Sequence, residues 1–231
     1  GESLLYLGDG KNCPYGSRPR EEIVRLADEA VAALVARGCK LVVVACNTAT
    51  AAAIDFLRGK YASMPIVGME PAVKPACLAT RSGVVGVLAT ERSLDGDLFR
   101  RTAALYGKGI EVVTAPGRGF VELVESDREA TPEAEECVRR AVEPMLERGA
   151  DQIVLGCTHY PFLLPVLERI VAGRGVAIVD PSPAVARRVA ELLDRYGLRA
   201  AADHVPGCEF LTFADEAYRS RLELKAMGSR G

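Results

Sequence analysis

Short apolar runs alternate with longer stretches of helical period along the 231 residues of the chain. Runs rich in β-branched and other apolar residues predict eight strands, at Leu4–Leu7, Leu41–Ala45, Pro65–Val67, Val84–Leu88, Glu111–Val113, Gln152–Leu155, Val176–Val179 and Glu209–Thr212. Nearly all are apolar on both faces, which is typical of parallel strands covered by helices on each side. The pattern therefore predicts an α/β fold with mainly parallel, doubly wound sheets.

Two of the intervening helices are followed by the same sequence of features. The first begins near Ser17, where a capping residue, a proline and early carboxylates suit a helix start, and it ends at Gly38. The second spans Pro132–Arg148. Each ends in Arg-Gly and is followed by an apolar strand and a cysteine, and these cysteines, Cys46 and Cys157, are 111 residues apart. The repeat indicates either an internal duplication or the general likeness of two βα units.

The chain is predicted to form two pseudo-symmetric lobes. Breaks near Arg81–Gly83 and Asp180–Pro183 predict a discontinuous first lobe, residues 1–82 and 182–231, with a second lobe, residues 83–181, inserted into it. Because parallel sheets bind ligands at the carboxyl ends of their strands, we expect one cleft between the lobes. The last residues, Met227–Gly231, have no apolar period and predict a flexible end.

Composition and charge exclude several classes of protein. The 29 Lys and Arg residues nearly balance the 31 Asp and Glu residues, for a net charge of −2 and a pI near 5.9. Nucleic acid is therefore not expected as the main partner. The longest apolar run, Ala30–Ala36, is far shorter than the roughly 20 residues that cross a bilayer, so neither a membrane span nor a signal peptide is predicted. We expect a cytoplasmic protein, and a homodimer is compatible with this interpretation.

The seven cysteines are expected to be reduced thiols, because their number is odd and no Cys-x-x-Cys occurs. The chain has only two histidines, His159 and His204. Cys157 and His159 form the one close pair of metal-ligand types, without a second pair to complete a tetrahedral set. No metal site is predicted.

Polar residues follow Cys46 and Cys157 at the ends of their strands. Asn-Thr follows the first cysteine and Thr-His-Tyr-Pro follows the second. A helix start at this point is expected to lower a thiol pKa and to attract carboxylates. The alternative for any single cysteine is a buried packing role, to which we assign Cys39, Cys77, Cys137 and Cys208.

Two thiols in matching positions suit inversion of a carbon acid, in which a base on one face removes a proton and an acid on the other face returns one. Other thiol chemistries fit less well. A phosphatase loop needs an arginine six residues after the cysteine, where Ala52 and Leu163 stand. A cysteine protease leaves the second motif unexplained, and redox exchange favours closely spaced cysteines.

These motifs carry a family resemblance. Val-Ala-Cys46-Asn-Thr and Leu-Gly-Cys157-Thr-His-Tyr-Pro resemble the glutamate racemases of the aspartate/glutamate racemase superfamily, and Tyr6-Leu-Gly-Asp, Pro14-Tyr-Gly and Phe120-Val-Glu-Leu-Val-Glu occur in the family's order. The resemblance extends from Leu4 to about Asp180. Cys-Asn-Thr is shared more widely, with relatives that act on aspartate, hydantoins or substituted malonates.

The resemblance implies racemisation of glutamate without a cofactor, supplying D-glutamate for peptidoglycan. It implies that Cys46 and Cys157 are the two acid/base residues, one for each enantiomer, with His159 beside the second thiol and Glu125 near the substrate amine. The implied substrate-binding residues are Tyr15, Gly16, Asn47, Thr48, Thr158 and His159. Two alternatives stay open: Tyr15-Gly16 could form only a turn, and Glu125 could be only a solvated carboxylate. Glu122, one helical turn away, could also take the place of Glu125 in the family pattern.

One feature departs from the family pattern. The family opens with a strand ending in Asp-Ser-Gly, whereas the numbering here starts at Gly1 just before the family's second strand. We expect either that the sequence omits this segment or that the chain is truncated, which would leave strand edges unpaired. The rival functions are therefore a non-catalytic amino-acid-binding or regulatory protein, and a racemase or decarboxylase acting on another acid such as aspartate.

Overall fold

The computed structural model describes residues 1–228, so the last three residues of the predicted flexible end lie outside the described residues. The strands are β1 (Leu4–Gly8), β2 (Val42–Val44), β3 (Ile66–Gly68), β4 (Val84–Ala89), β5 (Glu111–Pro116), β6 (Gln152–Gly156), β7 (Ala177–Val179) and β8 (Cys208–Thr212). The helices are α1 (Arg20–Ala36), α2 (Asn47–Lys60), α3 (Val73–Ala79), α4 (Glu91–Leu94), α5 (Asp97–Tyr106), α6 (Phe120–Glu125), α7 (Pro132–Glu147), α8 (Leu164–Val171), α9 (Ser182–Arg195) and α10 (Glu216–Gly228). All eight predicted strands are present within a few residues of their predicted bounds.

Four strands form a continuous parallel sheet in the order β5-β4-β6-β7. Helices cover both of its faces: α7 packs Val142 and Met145 on one side, and α3 packs Val73 on the other. Val87 at the centre of β4 and Val154 at the centre of β6 are fully buried. The predicted α/β architecture with parallel, two-sided sheets is therefore confirmed.

The other four strands form two separate parallel pairs, β1 with β8 and β2 with β3. Among the described residues, one edge of β1 and one edge of β2 therefore have no strand partner. Both strands line a cleft with a volume of about 1730 Å³, which also reaches Cys46 and Cys157. Below β2, a core of apolar residues joins α1 to α2, including Ile23 and Leu57.

Local sequence indicates where α1 begins and ends and where α7 begins. α1 begins at Arg20, within the predicted segment Ser17–Glu22, and has Pro19 at its N-cap without a side-chain cap. The Pro19 carbonyl oxygen accepts a hydrogen bond from the Ile23 N–H at 3.1 Å, the first of the helix. Gly38 follows the helix with φ +78°, the left-handed conformation that glycine allows. α7 keeps a threonine cap, in which the Thr131 side chain accepts from the Ala134 N–H.

None of the described helices is long and apolar enough to span a bilayer.

Candidate active site

Cys46 lies where β2 gives way to α2. It is the N-cap residue of this helix, and its Sγ accepts a hydrogen bond from the Ala49 N–H at 3.4 Å. The residue is half-buried and lines the cleft. Four alanines and two threonines open the helix, and these small side chains let it pack closely on α1. The thiol is therefore held at a helix start by a backbone donor.

Cys157 lies at the matching point after β6 and lines the same cleft. Gly156, just before it, allows close contact with β4: a Cβ at this position would lie 2.6 Å from the Ala89 side chain and 2.7 Å from the Leu88 carbonyl oxygen. A single 3-10 turn, Tyr160–Leu163, follows. The ring of Tyr160 is fully buried against Phe120. Backbone packing on both sides therefore fixes the position of this second thiol.

Burial dominates the electrostatics of both thiols. It raises the pKa of the Cys157 thiol to about 12, and the neighbouring Cys46 adds to this shift, whereas the N–H groups of the following turn lower it. Burial likewise raises the pKa of Cys46, against the opposing effect of N–H groups from α2. The expectation of lowered thiol pKa values is therefore wrong, because loss of hydration outweighs the helix start. Near pH 7, both thiols are therefore protonated.

A polar network surrounds the second thiol. His159 Nδ1 lies 3.9 Å from Cys157 Sγ, and His159 Nε2 lies 2.7 Å from Glu125 Oε1. The hydrogen bond with His159 is the main reason that the pKa of Glu125 is lowered. From α10, Tyr218 donates to Oε1 at 3.4 Å, and Arg221 lies 3.6 Å from Oε2. The structure therefore links three of the predicted residues into one chain of contacts: Cys157, His159 and Glu125.

Glu122, the alternative to Glu125, is exposed on the same helix and does not share in this network. Its charge raises the pKa of Cys157, but only as a minor contribution next to burial.

Hydroxyl groups line the cleft near Cys46. Thr48 is buried, and its Oγ1 lies 2.9 Å from Thr90 Oγ1 and 3.3 Å from Ser93 Oγ. Thr158 also lines the cleft. Thr48 follows β2 and Thr90 follows β4, so the two bonded hydroxyls come from segments after strands of different sheets.

The Tyr15-Gly16 segment also lies on the cleft wall. The Tyr15 hydroxyl donates to Asp9 Oδ2 at 2.6 Å, which fixes the ring. Gly16 lies against Thr90, since a Cβ there would be 3.2 Å from the threonine Cβ. The segment is thus packed against the hydroxyl cluster rather than projecting into solvent.

The side chain of Asn47 is placed differently from the other predicted residues. It is buried and lines a small separate pocket with Glu70 and Ser93, not the cleft itself. As the first residue of α2, it points towards the segment that follows β3. Neither its Oδ1 nor its Nδ2 has a hydrogen-bond partner among the described residues. Substrate contact by this amide stays a prediction.

Sequence reasoning missed three residues of the network. Cys13 Sγ lies 3.7 Å from Glu125 Oε1, although no sequence pattern indicated a role for this thiol. Its position beside Pro14-Tyr15-Gly16 was a signal that could have marked it. Tyr218 and Arg221 carried no such signal, because they are more than 90 residues from Glu125 and come from a different part of the fold.

Curated relatives resemble this chain over most of its length. A glutamate racemase from Roseiflexus sp. is 49% identical over 207 residues, which cover 90% of this chain and 76% of that protein. A glutamate racemase from Herpetosiphon aurantiacus is 44% identical, with 96% of this chain and 86% of that protein covered.

Solved structures give the same result for the fold. A glutamate racemase from Bacillus anthracis superposes with a TM-score of 0.85 at 27% identity, covering 98% of this chain and 85% of that chain. The Escherichia coli glutamate racemase, solved with L-glutamate and an activator, has a TM-score of 0.84 at 30% identity, covering 100% and 86%. The sequence model of the Asp/Glu/Hydantoin racemase family matches residues 2–189. The chain belongs to the Asp/Glu/Hydantoin racemase family.

Proposed function

We propose that this chain interconverts L- and D-glutamate without a cofactor, using Cys46 and Cys157 as the two acid/base groups, and that its D-glutamate serves peptidoglycan synthesis. The observation that carries the mechanism is the pairing of the thiols: each follows a parallel strand, and both line one cleft and interact electrostatically. The substrate is inferred from the relatives, which are named glutamate racemases at 43–49% identity.

In the proposed reaction, a thiolate on one face of the substrate removes the α-proton and becomes a thiol. The thiol on the opposite face then donates its proton to the carbanion and becomes a thiolate. No proton is lost overall, and the enzyme is left ready for the reverse direction. In this proposal Cys46 belongs to a first lobe, residues 1–82 and 182–231, and Cys157 to a second, residues 83–181.

The two thiols need help to reach the charged state, since burial raises the pKa of both. His159 is placed to accept the proton of Cys157 at Nδ1, and the carboxylate of Glu125 stabilises the resulting imidazolium through Nε2. The ammonium group of the substrate adds a positive charge near the thiols. Both effects favour a thiolate in the occupied site.

The substrate carboxylate is proposed to bind at the hydroxyl cluster. Thr48 and Thr158 supply hydroxyl donors, and the start of α2 supplies N–H groups with a positive dipole end. The Tyr15-Gly16 segment closes this side of the cleft. A carboxylate held here places the α-carbon between the thiols, which is what proton transfer from either face requires.

Deuterium exchange with single variants tests the two-thiol mechanism. Cys46→Ser and Cys157→Ser are each expected to lose racemisation. In D₂O, each variant should still exchange the α-proton of one enantiomer without inverting it, and the two variants should select opposite enantiomers. Cys137→Ser, which changes a half-buried thiol on α7 outside the cleft, serves as the control and should racemise normally. Full racemisation by either single variant would refute the mechanism.

A panel of L- and D-amino acids distinguishes the rival functions. Turnover of aspartate without turnover of glutamate would assign another substrate. Glutamate binding by calorimetry without any turnover would favour an amino-acid-binding role instead.

A further inference from the structure

Three ligand-type side chains converge on the cleft wall beside the proposed proton-transfer site. Cys13, Glu125 and His159 each offer one atom, and the three atoms lie within 4.8 Å of one another. They come from the segment after β1, the end of α6 and the turn after β6. All three residues are half-buried, and all three line the cleft, so a dissolved ion can reach them. Among the described residues this is the one such group.

The donor set has a definite chemical preference. Thiolate, imidazole and carboxylate are the three side-chain ligands of Zn²⁺, and a site with three protein ligands keeps a fourth position open. The sulfur donor disfavours Mg²⁺ and Ca²⁺, which take oxygen ligands. The mechanism proposed above gives Cys13 no part, so this thiol is available as a ligand.

The present spacing is close to that of a coordination sphere. Metal bonds of about 2.0–2.3 Å in a tetrahedron place ligand atoms about 3.3–3.8 Å apart. Cys13 Sγ and Glu125 Oε1 are already 3.7 Å apart, and Glu125 Oε1 and His159 Nε2 are 2.7 Å apart because they share a proton. Replacing that proton by an ion needs shifts of about 1 Å or less, within the reach of side-chain torsions.

We propose that Cys13, Glu125 and His159 form a binding site for Zn²⁺ or a similar thiophilic divalent cation, and that the bound cation inhibits the enzyme. On binding, the thiol of Cys13 releases its proton to solvent, and a neutral imidazole protonated at Nε2 loses that proton there and takes one up at Nδ1. Coordination through Nε2 fixes the remaining imidazole proton on Nδ1, so the ring can no longer accept the proton of Cys157. The inhibition rests on the proposed function, whereas the binding of the ion does not.

The positive charge of Arg221 opposes the binding of a cation at this site. Its guanidinium lies 3.6 Å from Glu125 Oε2 and repels a cation bound at Oε1. Arg221→Gln should therefore bind the ion more tightly than the unmodified protein does.

Titration with Co²⁺ tests the site independently of activity, because cobalt bound to a thiolate absorbs in the near ultraviolet by charge transfer. The band should form in the unmodified protein, disappear in Cys13→Ser, and persist in Cys157→Ser and in the control Cys137→Ser, a half-buried thiol outside the cleft. A band that persists in Cys13→Ser but is lost in Cys157→Ser would place the ion on the Cys157–His159 pair and overturn the proposal. Absence of the band from the unmodified protein would also overturn it.

Zn²⁺ titration of glutamate racemisation tests the inhibition. The half-inhibiting concentration should rise about 10-fold or more in Cys13→Ser, the usual loss when one group of a metal site is removed. An unchanged value would refute the inhibitory role. If the Co²⁺ band follows Cys13 while the unmodified protein does not racemise glutamate at all, the proposed function fails and the metal site stands.

Discussion

Replacing Glu125 by glutamine removes one charge from the network around Cys157 while keeping the size of the side chain. The Glu125 and His159 side chains are about one quarter exposed, at 26% and 25%, and their polar atoms are 2.7 Å apart. At an effective dielectric constant of about 20, this separation corresponds to a gross Coulomb energy of about 6 kcal/mol. Desolvation removes most of it, leaving about 1.5–3 kcal/mol for a charge-assisted hydrogen bond.

If the carboxylate stabilises the imidazolium that forms when Cys157 loses its proton, this energy is lost from the transition state. Glu125→Gln should then lower kcat by about 10- to 150-fold and leave KM within about threefold. Circular dichroism follows the racemisation of L-glutamate directly and gives both parameters. Glu147→Gln, at the exposed end of α7 and outside the cleft, is the control and should change kcat less than about twofold.

The opposite pattern would refute this reasoning. A large rise in KM with unchanged kcat would mean that Glu125 binds the substrate amine in the ground state and does not act through His159. Unchanged values of both parameters would mean that the contact between Glu125 and His159 has no part in the reaction.

Three further predictions concern pH and stability. Because burial raises the pKa of Cys157 to about 12, the protonated thiol predominates below that pH, and the thiolate fraction grows about tenfold per pH unit. The kcat/KM for glutamate should therefore rise between about pH 6 and 8. A kcat/KM that falls over this range would contradict a thiolate base. Gly156→Ala should lower the free energy of unfolding, measured in urea, by about 1–3 kcal/mol, because the new Cβ would lie 2.6 Å from the Ala89 side chain. Gly59→Ala, in an open part of α2, should raise it by about 0.5–1 kcal/mol. Equal effects of the two variants would show that the contact between strands is not the cause. Asn47→Leu should raise the free energy of unfolding by about 1 kcal/mol, since it removes a buried amide that has no hydrogen-bond partner within residues 1–228. A loss of stability would show that the amide is hydrogen-bonded in solution.

The strands and the two cysteine positions could be predicted because their signals are local. A run such as Ile153–Gly156 has no polar side chain, which only a sheet covered on both faces makes favourable, and the cysteine directly after it must lie at the carboxyl edge. The exact first residue of α1 could not be predicted, because Ser17 and Pro19 both suit a helix start and only the folded chain decides between them.

The protonation of the thiols and the composition of the network could not be predicted. The pKa of Cys46 depends on how much water the folded cleft removes, and a helix-start motif does not contain that information. Tyr218 and Arg221 reach Glu125 through a helix that is distant in sequence, so their contacts follow only from the tertiary structure. Asn47 shows the same limit, since its neighbour Thr48 lines the cleft while its own amide lies in another pocket.

The strands that precede the two thiols are paired unevenly, so they should differ in how easily they open locally. Among the residues that the structure describes, β6 is hydrogen-bonded on both sides, to β4 and β7, whereas β2 is bonded to β3 alone. Amide protons around β2 should therefore exchange with solvent before those of β6, in a smaller cooperative unit. On warming, the position of Cys46 would be lost while Cys157 is still held in place, so heat would disable one half of a symmetrical reaction before the other.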